Sequence, residues 1–455
     1  MLKTESDLKF RFVDNNSGVS VSIGTDFGSH VEIPSVFNGF PVVAIDTGGF
    51  SGALSLISVT IPDSVTTVGN WAFRGCKNLK TISIPGSVSW IGSNAFSECS
   101  ALTNISIPSC ITSLGSETFC DCTALTTVFI PAATIDIAQS AFSGCLNLSE
   151  IVVDQKNPSF GSLDGVLYCK NFSVLKTFPA GKGGHFDVPD SVFAIGGEAF
   201  RDCGKLSSIH MGSNVKGIGC YAFGGCTGLL SVVLPSGVVS IGDSAFFGCI
   251  GLKSIFIPKD LVTIGKLSFA KCKNLTEILV DEANPKYKSV DGVLFNKIKG
   301  SLKIYPVGRI GHYQIPDGTV IIECNAFMDC TGLTSVSIPD GVEFIGNCAF
   351  MDCTALSEVV IPLSLTYICD FAFRNCSGLK KLTIPSTITS IGNYAFFNCY
   401  RIKDIFIPGT VENIGRLAFS KMLGTVIRVQ THKRRPGGWH TYWTSNGTQV
   451  VWGVE

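Results

Sequence analysis

Residues 91–108 read IGSNAFSECSALTNISIP, and 300 residues later positions 391–408 read IGNYAFFNCYRIKDIFIP. The skeleton is the same: Ile-Gly, two variable residues, Ala-Phe, two more, Cys, then an alternating apolar run ending in Ile-Pro. Leu102, Ile105 and Ile107 fall on one side of an extended chain and Asn104 and Ser106 on the other, the period-two pattern of a half-buried strand. Pro108 lacks a ladder donor and ends that strand. Ile111 and Leu114 return apolar side chains inward, and Gly115 is read as permitting a tight bend. Ser116, replaced by Asp243, Asn347 and Asn393 in other copies, is an N-cap residue type, so Ala-Phe-x-x-Cys is expected to form one helical turn.

The Phe of the Ala-Phe pair marks the copies. It recurs every 23 residues at Phe50, Phe73, Phe96, Phe119 and Phe142, again at Phe200, Phe223, Phe246 and Phe269, and again at Phe327, Phe350, Phe373, Phe396 and Phe419. The two gaps between these blocks are both 58 residues. A short strand and one turn cannot bury an apolar face alone, but stacked copies can, with their strands forming a parallel sheet. Stacking also answers a question of size. The chain has 455 residues, beyond the ~250–300 at which a single compact core stops growing, and a solenoid spreads its core along an axis.

Composition excludes several classes. The 35 basic residues balance the 35 acidic ones, which argues against a broad nucleic-acid or anionic-membrane surface. No apolar run reaches the ~18 residues of a membrane span. The first residues, MLKTESDLKFRF, contain no apolar leader core, so no secretory signal is expected in this chain.

The pattern Leu-x-x-Ile-x-Ile-Pro-x-x-Val-x-x-Ile-Gly-x-x-Ala-Phe-x-x-Cys, at its 23-residue period over residues 30–419, resembles the BspA-like leucine-rich repeat proteins. Ala53 and Met422 replace the recurring Cys at the two ends, as suits terminal, capping repeats. The resemblance implies an α/β repeat solenoid: a leucine-rich repeat horseshoe with a concave parallel β-sheet and short convex helical turns. It also implies a non-enzymatic protein-binding scaffold at the cell surface or secreted, an adhesin contacting host or extracellular-matrix proteins. The missing leader favours the alternative of a cytoplasmic adaptor or effector built on the same scaffold. The expected organisation is an N-terminal β cap at 1–30, a solenoid at 31–419 and a C-terminal cap at 420–455.

Two inserts, residues 154–188 and 281–315, interrupt the solenoid and align with each other without a gap at an offset of 127. Asp164-Gly165 and Asp291-Gly292, set between apolar residues, are hairpin turns by type. Insertions in solenoids map to loops on one face and can bind, but hairpin chemistry this ordinary reads first as a structural spacer. No Asp-x-Asp-x-Asp spacing supports a calcium site.

Chemistry is sparse. Twelve of the 19 cysteines keep the repeat register (Cys76, Cys99, Cys122 and their successors). One thiol per coil reads as a small buried hydrophobe, and Cys120-Asp121-Cys122 has no second pair or nearby His to complete a metal site. The six histidines form no ligand pair on a helix, and no nucleophile elbow or phosphate loop occurs. Neither metal nor cofactor is expected. The tail holds His432, Lys433, Arg434 and Arg435, then Trp439, Tyr442, Trp443 and Trp452. Such groups can bind glycans or acidic partners, but terminal aromatics more often seal the open end of a stack. Asn446-Gly447 before TQVVWG suggests a closing hairpin. The informative positions are those the repeat leaves free, the outward residues at mid-strand. Phe129, Val152, His210, Val233, Phe256, Leu279, Val360 and Phe406 stand where a solvated face would carry small polar side chains, and they are the candidate partner-binding concave face. The competing reading is plain β-propensity.

Overall fold

The computed structural model describes residues 2–3, 8–13, 17–24, 28–430, 435–445 and 448–454. The chain divides into two compact units, Met1–Leu229 with Ser240–Phe247, and Leu230–Val239 with Gly248–Glu455. Each is a β-solenoid of stacked coils. In the first, strand Thr127–Ile130 pairs in parallel with Glu150–Val153 in the register Phe129↔Val152. In the second, Ser254–Ile257 pairs in parallel with Glu277–Val280 in the register Phe256↔Leu279. Every residue thus lies beside its own equivalent one repeat later. Val128 and Ile130 are buried while Thr127 and Phe129 are exposed, because successive side chains leave opposite faces of a strand. A second, two-residue strand follows the Pro in the regular coils, as in the parallel pair Ser113–Leu114 and Asp136–Ile137.

The described residues contain no helix, which corrects the helical turn expected at Ala-Phe-x-x-Cys. Asn94 and Glu98 take left-handed backbone angles, φ 58° and 62°, and the same pairing recurs at Glu198 and Asp202 and at Asn325 and Asp329. Between such residues the N–H groups alternate in direction. Those of Ala95, Ser97 and Cys99 donate to Gly92, Asn94 and Phe96 of their own coil at 3.2–3.3 Å, whereas those of Asn94, Phe96 and Glu98 donate to Ser116, Thr118 and Cys120 of the next coil at 2.7–2.9 Å. A helix would close all of them within its own segment. Here half are spent on holding coils together.

Two further readings change for the same reason. Asn393, a candidate N-cap, accepts instead from the Arg416 N–H one coil on, at 2.8 Å. Gly115 does not make its bend through left-handed angles; a Cβ there would come within 2.7 Å of Ser93 Oγ, and at the equivalent Gly92 and Gly346 within 2.5 Å of Asn70 N and 2.6 Å of Cys324 N, so glycine is favoured by the close approach of adjacent coils.

The core is a column of like side chains. Phe73, Phe96, Phe119 and Phe142 stack with centroids 5.4–5.7 Å apart and planes within 8°, and Phe350, Phe373 and Phe396 do the same at 5.2–5.4 Å. Each insert supplies its own ring to the column: Phe178 stacks on Phe200 at 4.9 Å and Tyr305 on Phe327 at 4.8 Å. In the inserts, Phe160–Leu163 pairs antiparallel with Val166–Cys169, and Tyr287–Val290 with Val293–Asn296. Asp164 and Gly165 join the first pair, both at positive φ, as a type I′ hairpin turn requires. The third insert strands return to parallel pairing, Val174–Thr177 with Ala194–Ile195 and Ser301–Ile304 with Ile321–Ile322.

At the chain start Leu8–Phe12 pairs antiparallel with Val19–Ile23; Asn15 and Asn16 between them lie outside the described residues. Near the chain end Val426–Gln430 pairs with Gln449–Val454 in parallel. Asn446 and Gly447, where the sequence suggests a closing hairpin, lie outside the described residues.

Candidate functional site

The recurring cysteines are settled by their surroundings. Cys99 Sγ donates to Phe73 O at 3.1 Å, Cys226 to Phe200 O at 2.9 Å and Cys353 to Phe327 O at 3.0 Å. Each of these carbonyls also accepts a backbone N–H within its own coil, so the thiol uses the second lone pair. Burial pushes the Cys145 and Cys399 thiols up to about 12 and holds Cys122, Cys203 and Cys376 well above their ordinary value. A thiol kept neutral is neither nucleophile nor metal ligand. No disulfide forms among the described cysteines, and no group of three potential metal ligands gathers among the described residues.

The outward strand positions are the remaining candidate surface, and all eight are exposed. They gather unevenly. In the first unit Phe129 and Val152 sit side by side across one strand pair. His210 belongs to a polar cluster instead. Its Nδ1 lies 3.4 Å from an Asp187 oxygen that His185 Nε2 also approaches, at 3.2 Å. His185 Nδ1 meets Ser208 Oγ at 2.8 Å. The pairing of such a His with a Ser one strand on recurs at His30 with Ser58, 2.7 Å, and at His312 with Ser335, 2.9 Å. A sequence signal for this existed: His-x-acid/amide-x-Pro stands at 30–34, 185–189 and 312–316.

In the second unit Val233, Phe256 and Leu279 stand on three successive strands, 70%, 48% and 43% exposed. Their neighbours along each strand are polar: Ser231, Ser254 and Glu277. Val360 lies apart and lines a cavity of about 390 Å³ with Leu363, Glu358 and Lys381. Leu363 is as open as Val360 but was not singled out from sequence, because it follows the Pro where the repeat prescribes no strand. Phe406 lies beside Arg428 in register, and that guanidinium pairs with Asp404 at 3.2 Å. Of the basic run in the tail, His432, Lys433 and Arg434 lie outside the described residues, and Arg435 Nη1 donates to Trp439 O at 2.8 Å. No helix among the described residues is long and apolar enough to cross a membrane.

Against known proteins, the model of the BspA type leucine rich repeat region (6 copies) matches residues 43–163, 184–301 and 305–425. No curated protein matches the chain. Among solved structures, a leucine rich cell surface protein from Faecalibacterium prausnitzii is 26% identical, aligned over 95% of this chain and 95% of its own, with a TM-score of 0.50. The pneumococcal vaccine antigen PcpA is 19% identical over 76% of this chain and 93% of its own, with a TM-score of 0.54; at that identity the likeness shows the fold alone.

Proposed function

The chain belongs to the BspA type leucine rich repeat family, and we propose that it is a protein-binding scaffold that works at a bacterial cell surface as an adhesin, taking host or extracellular-matrix proteins on the outward face of its strands. The observation that carries this is the row Val233, Phe256 and Leu279: three large apolar side chains, open to solvent on successive strands whose inward Val232, Ile255, Ile257 and Ile278 are already buried. Nothing in the repeat requires apolar residues there, since the same position is Thr60, Ser83 and Ser106 elsewhere. Exposed apolar rows rimmed by polar residues are interaction surfaces, and repeat scaffolds bind through such extended faces. The location is supported by the similar cell surface protein from Faecalibacterium prausnitzii.

The test is Phe256→Ser with Val233→Ser, assayed against a panel of purified extracellular-matrix proteins immobilised on a sensor. Both side chains are solvent-facing, so the fold is expected to survive while binding weakens by at least ~10-fold, as loss of central apolar anchors does. Binding equal to the unmodified chain, with an unchanged melting temperature, removes this face from the function.

A further inference from the structure

The offset of 127 that relates the two inserts also relates the coils flanking them, which places two equivalent sites in the molecule, one per unit. Their backbones agree. Phe178 N donates to Ala199 O at 2.6 Å in the first, and the equivalent Tyr305 N to Ala326 O at 2.8 Å in the second. Their interiors do not. The first site encloses about 10 Å³; the second is a cavity of about 400 Å³.

Side chains make the difference. In the first site Ser143 Oγ donates to Glu198 Oε2 at 2.9 Å, and Arg201 Nη1 pairs with the same oxygen at 3.3 Å, drawing the coils together. Gln139 reaches over Gly197 and fills the space a Cβ would need. In the second site the equivalents are Ala270, Asn325, Met328 and Cys324. The hydroxyl, the carboxylate and the guanidinium are gone, and a side chain replaces the glycine. The wall that remains is apolar: Tyr305, Val307 and Phe269, all buried, with Phe344 half-exposed. Glu323 enters where the first site has Gly196, and it is compensated in place by Ser301 Oγ at 2.6 Å and Lys303 Nζ at 3.3 Å. Exposed Lys299 and Lys266, in the places of Phe172 and Gln139, add two cations to the lining.

We propose that this cavity binds a small amphiphilic anion, an aromatic or branched aliphatic carboxylate, with its apolar body against Tyr305, Val307 and Phe344 and its carboxylate at Lys299 and the Lys303–Glu323 pair. The volume falls within the ~300–1,000 Å³ of small-molecule sites, and the mixture of apolar walls with a few polar groups is their usual lining. The Lys303–Glu323 pair is neutral as a unit, so Lys299 and Lys266 give the site its sign, and an anion is the complementary guest. This site is independent of the strand face proposed above.

The experiment is calorimetric titration of the full chain with 4-phenylbutyrate and, in parallel, with the neutral 4-phenylbutyramide. The acid should saturate at about 1 mM or below, and the amide should bind at least ~10-fold more weakly. The triple variant Ala270→Ser, Asn325→Glu, Met328→Arg installs the first site's closing residues and should abolish acid binding. The double variant Lys266→Gln, Lys299→Gln alters only exposed residues and should narrow the gap between acid and amide to less than ~3-fold. Phe256→Ser on the strand face should bind the acid as the unmodified chain does. Three results each overturn the proposal: no saturable acid binding by the unmodified chain, an amide as tight as the acid, or undiminished acid binding by a folded Lys266→Gln, Lys299→Gln variant.

Discussion

Asn284 has its whole amide committed. Nδ2 donates to Pro258 O and Leu261 O at 2.8 and 2.9 Å, and Oδ1 accepts the N–H groups of Lys286 and Tyr287 at 2.9 and 2.8 Å. Asn157 repeats all four bonds in the first unit, so each insert is tied to the preceding coil by one buried side chain. Asn284→Ala leaves two donors and two acceptors to find other partners and is expected to destabilise the second unit by about 2–4 kcal/mol, read from urea unfolding. The thiols of Cys122, Cys145, Cys203, Cys376 and Cys399 carry a pH signature. Their folded values lie above the ordinary 9.0, at about 12 for Cys145 and Cys399, so the neutral form is favoured by folding. That stabilisation is whole below pH 9 and is lost as pH climbs toward 12. The melting temperature should fall across that window, and by less in Cys399→Ala. At this scale the sequence showed that Asn157 and Asn284 are equivalent, but not what they do, because their partners Pro258 and Leu261 come from another coil.

The turn that replaces the expected helix shows how an element is decided by its neighbours. Ala-Phe-x-x-Cys has helical propensity, yet a residue in the left-handed region stands on either side of Ala-Phe, which no α-helix accepts. The ladder to the next coil compensates for the strain, of order 1 kcal/mol per non-glycine residue. Glu117 is one such residue, exposed and at φ 57°. Glu117→Gly is expected to change stability by no more than about 0.5 kcal/mol, since relief of strain offsets the greater freedom of the unfolded chain. Glu117→Val should cost about 1–2 kcal/mol, because a β-branched side chain is an outlier there. Thermal melts of the two variants separate these outcomes. The strands were legible because their period of two is local. The alternation of N–H directions in the turn was not, because its partners lie 22 residues away and leave no mark on the composition of the turn itself.

Across the whole molecule, stability in each unit is a chain of nearest-neighbour contacts, so the ends matter more than their size suggests. Trp439 is buried, donates from Nε1 to Val411 O at 3.1 Å and meets Trp443 edge-on at 5.0 Å; Trp443 in turn lies edge-on to Phe419, the last ring of its column. Trp439→Ala should cost about 3–5 kcal/mol. Hydrogen exchange should show residues 404–430 losing protection first, while the coils around 113–145 keep theirs; uniform loss across the chain would contradict nearest-neighbour cohesion. The sequence by itself determined the repeat, its register, the inward and outward faces of each strand and the family, because all of these follow from side chains at fixed spacing. Only the tertiary structure decided that the turns are not helices, that the cysteines donate to a neighbouring coil, and that one of two equivalent sites is closed while the other is open. Each of those depends on groups from adjacent coils meeting across the stack, and spacing along one coil does not encode what faces it in the next.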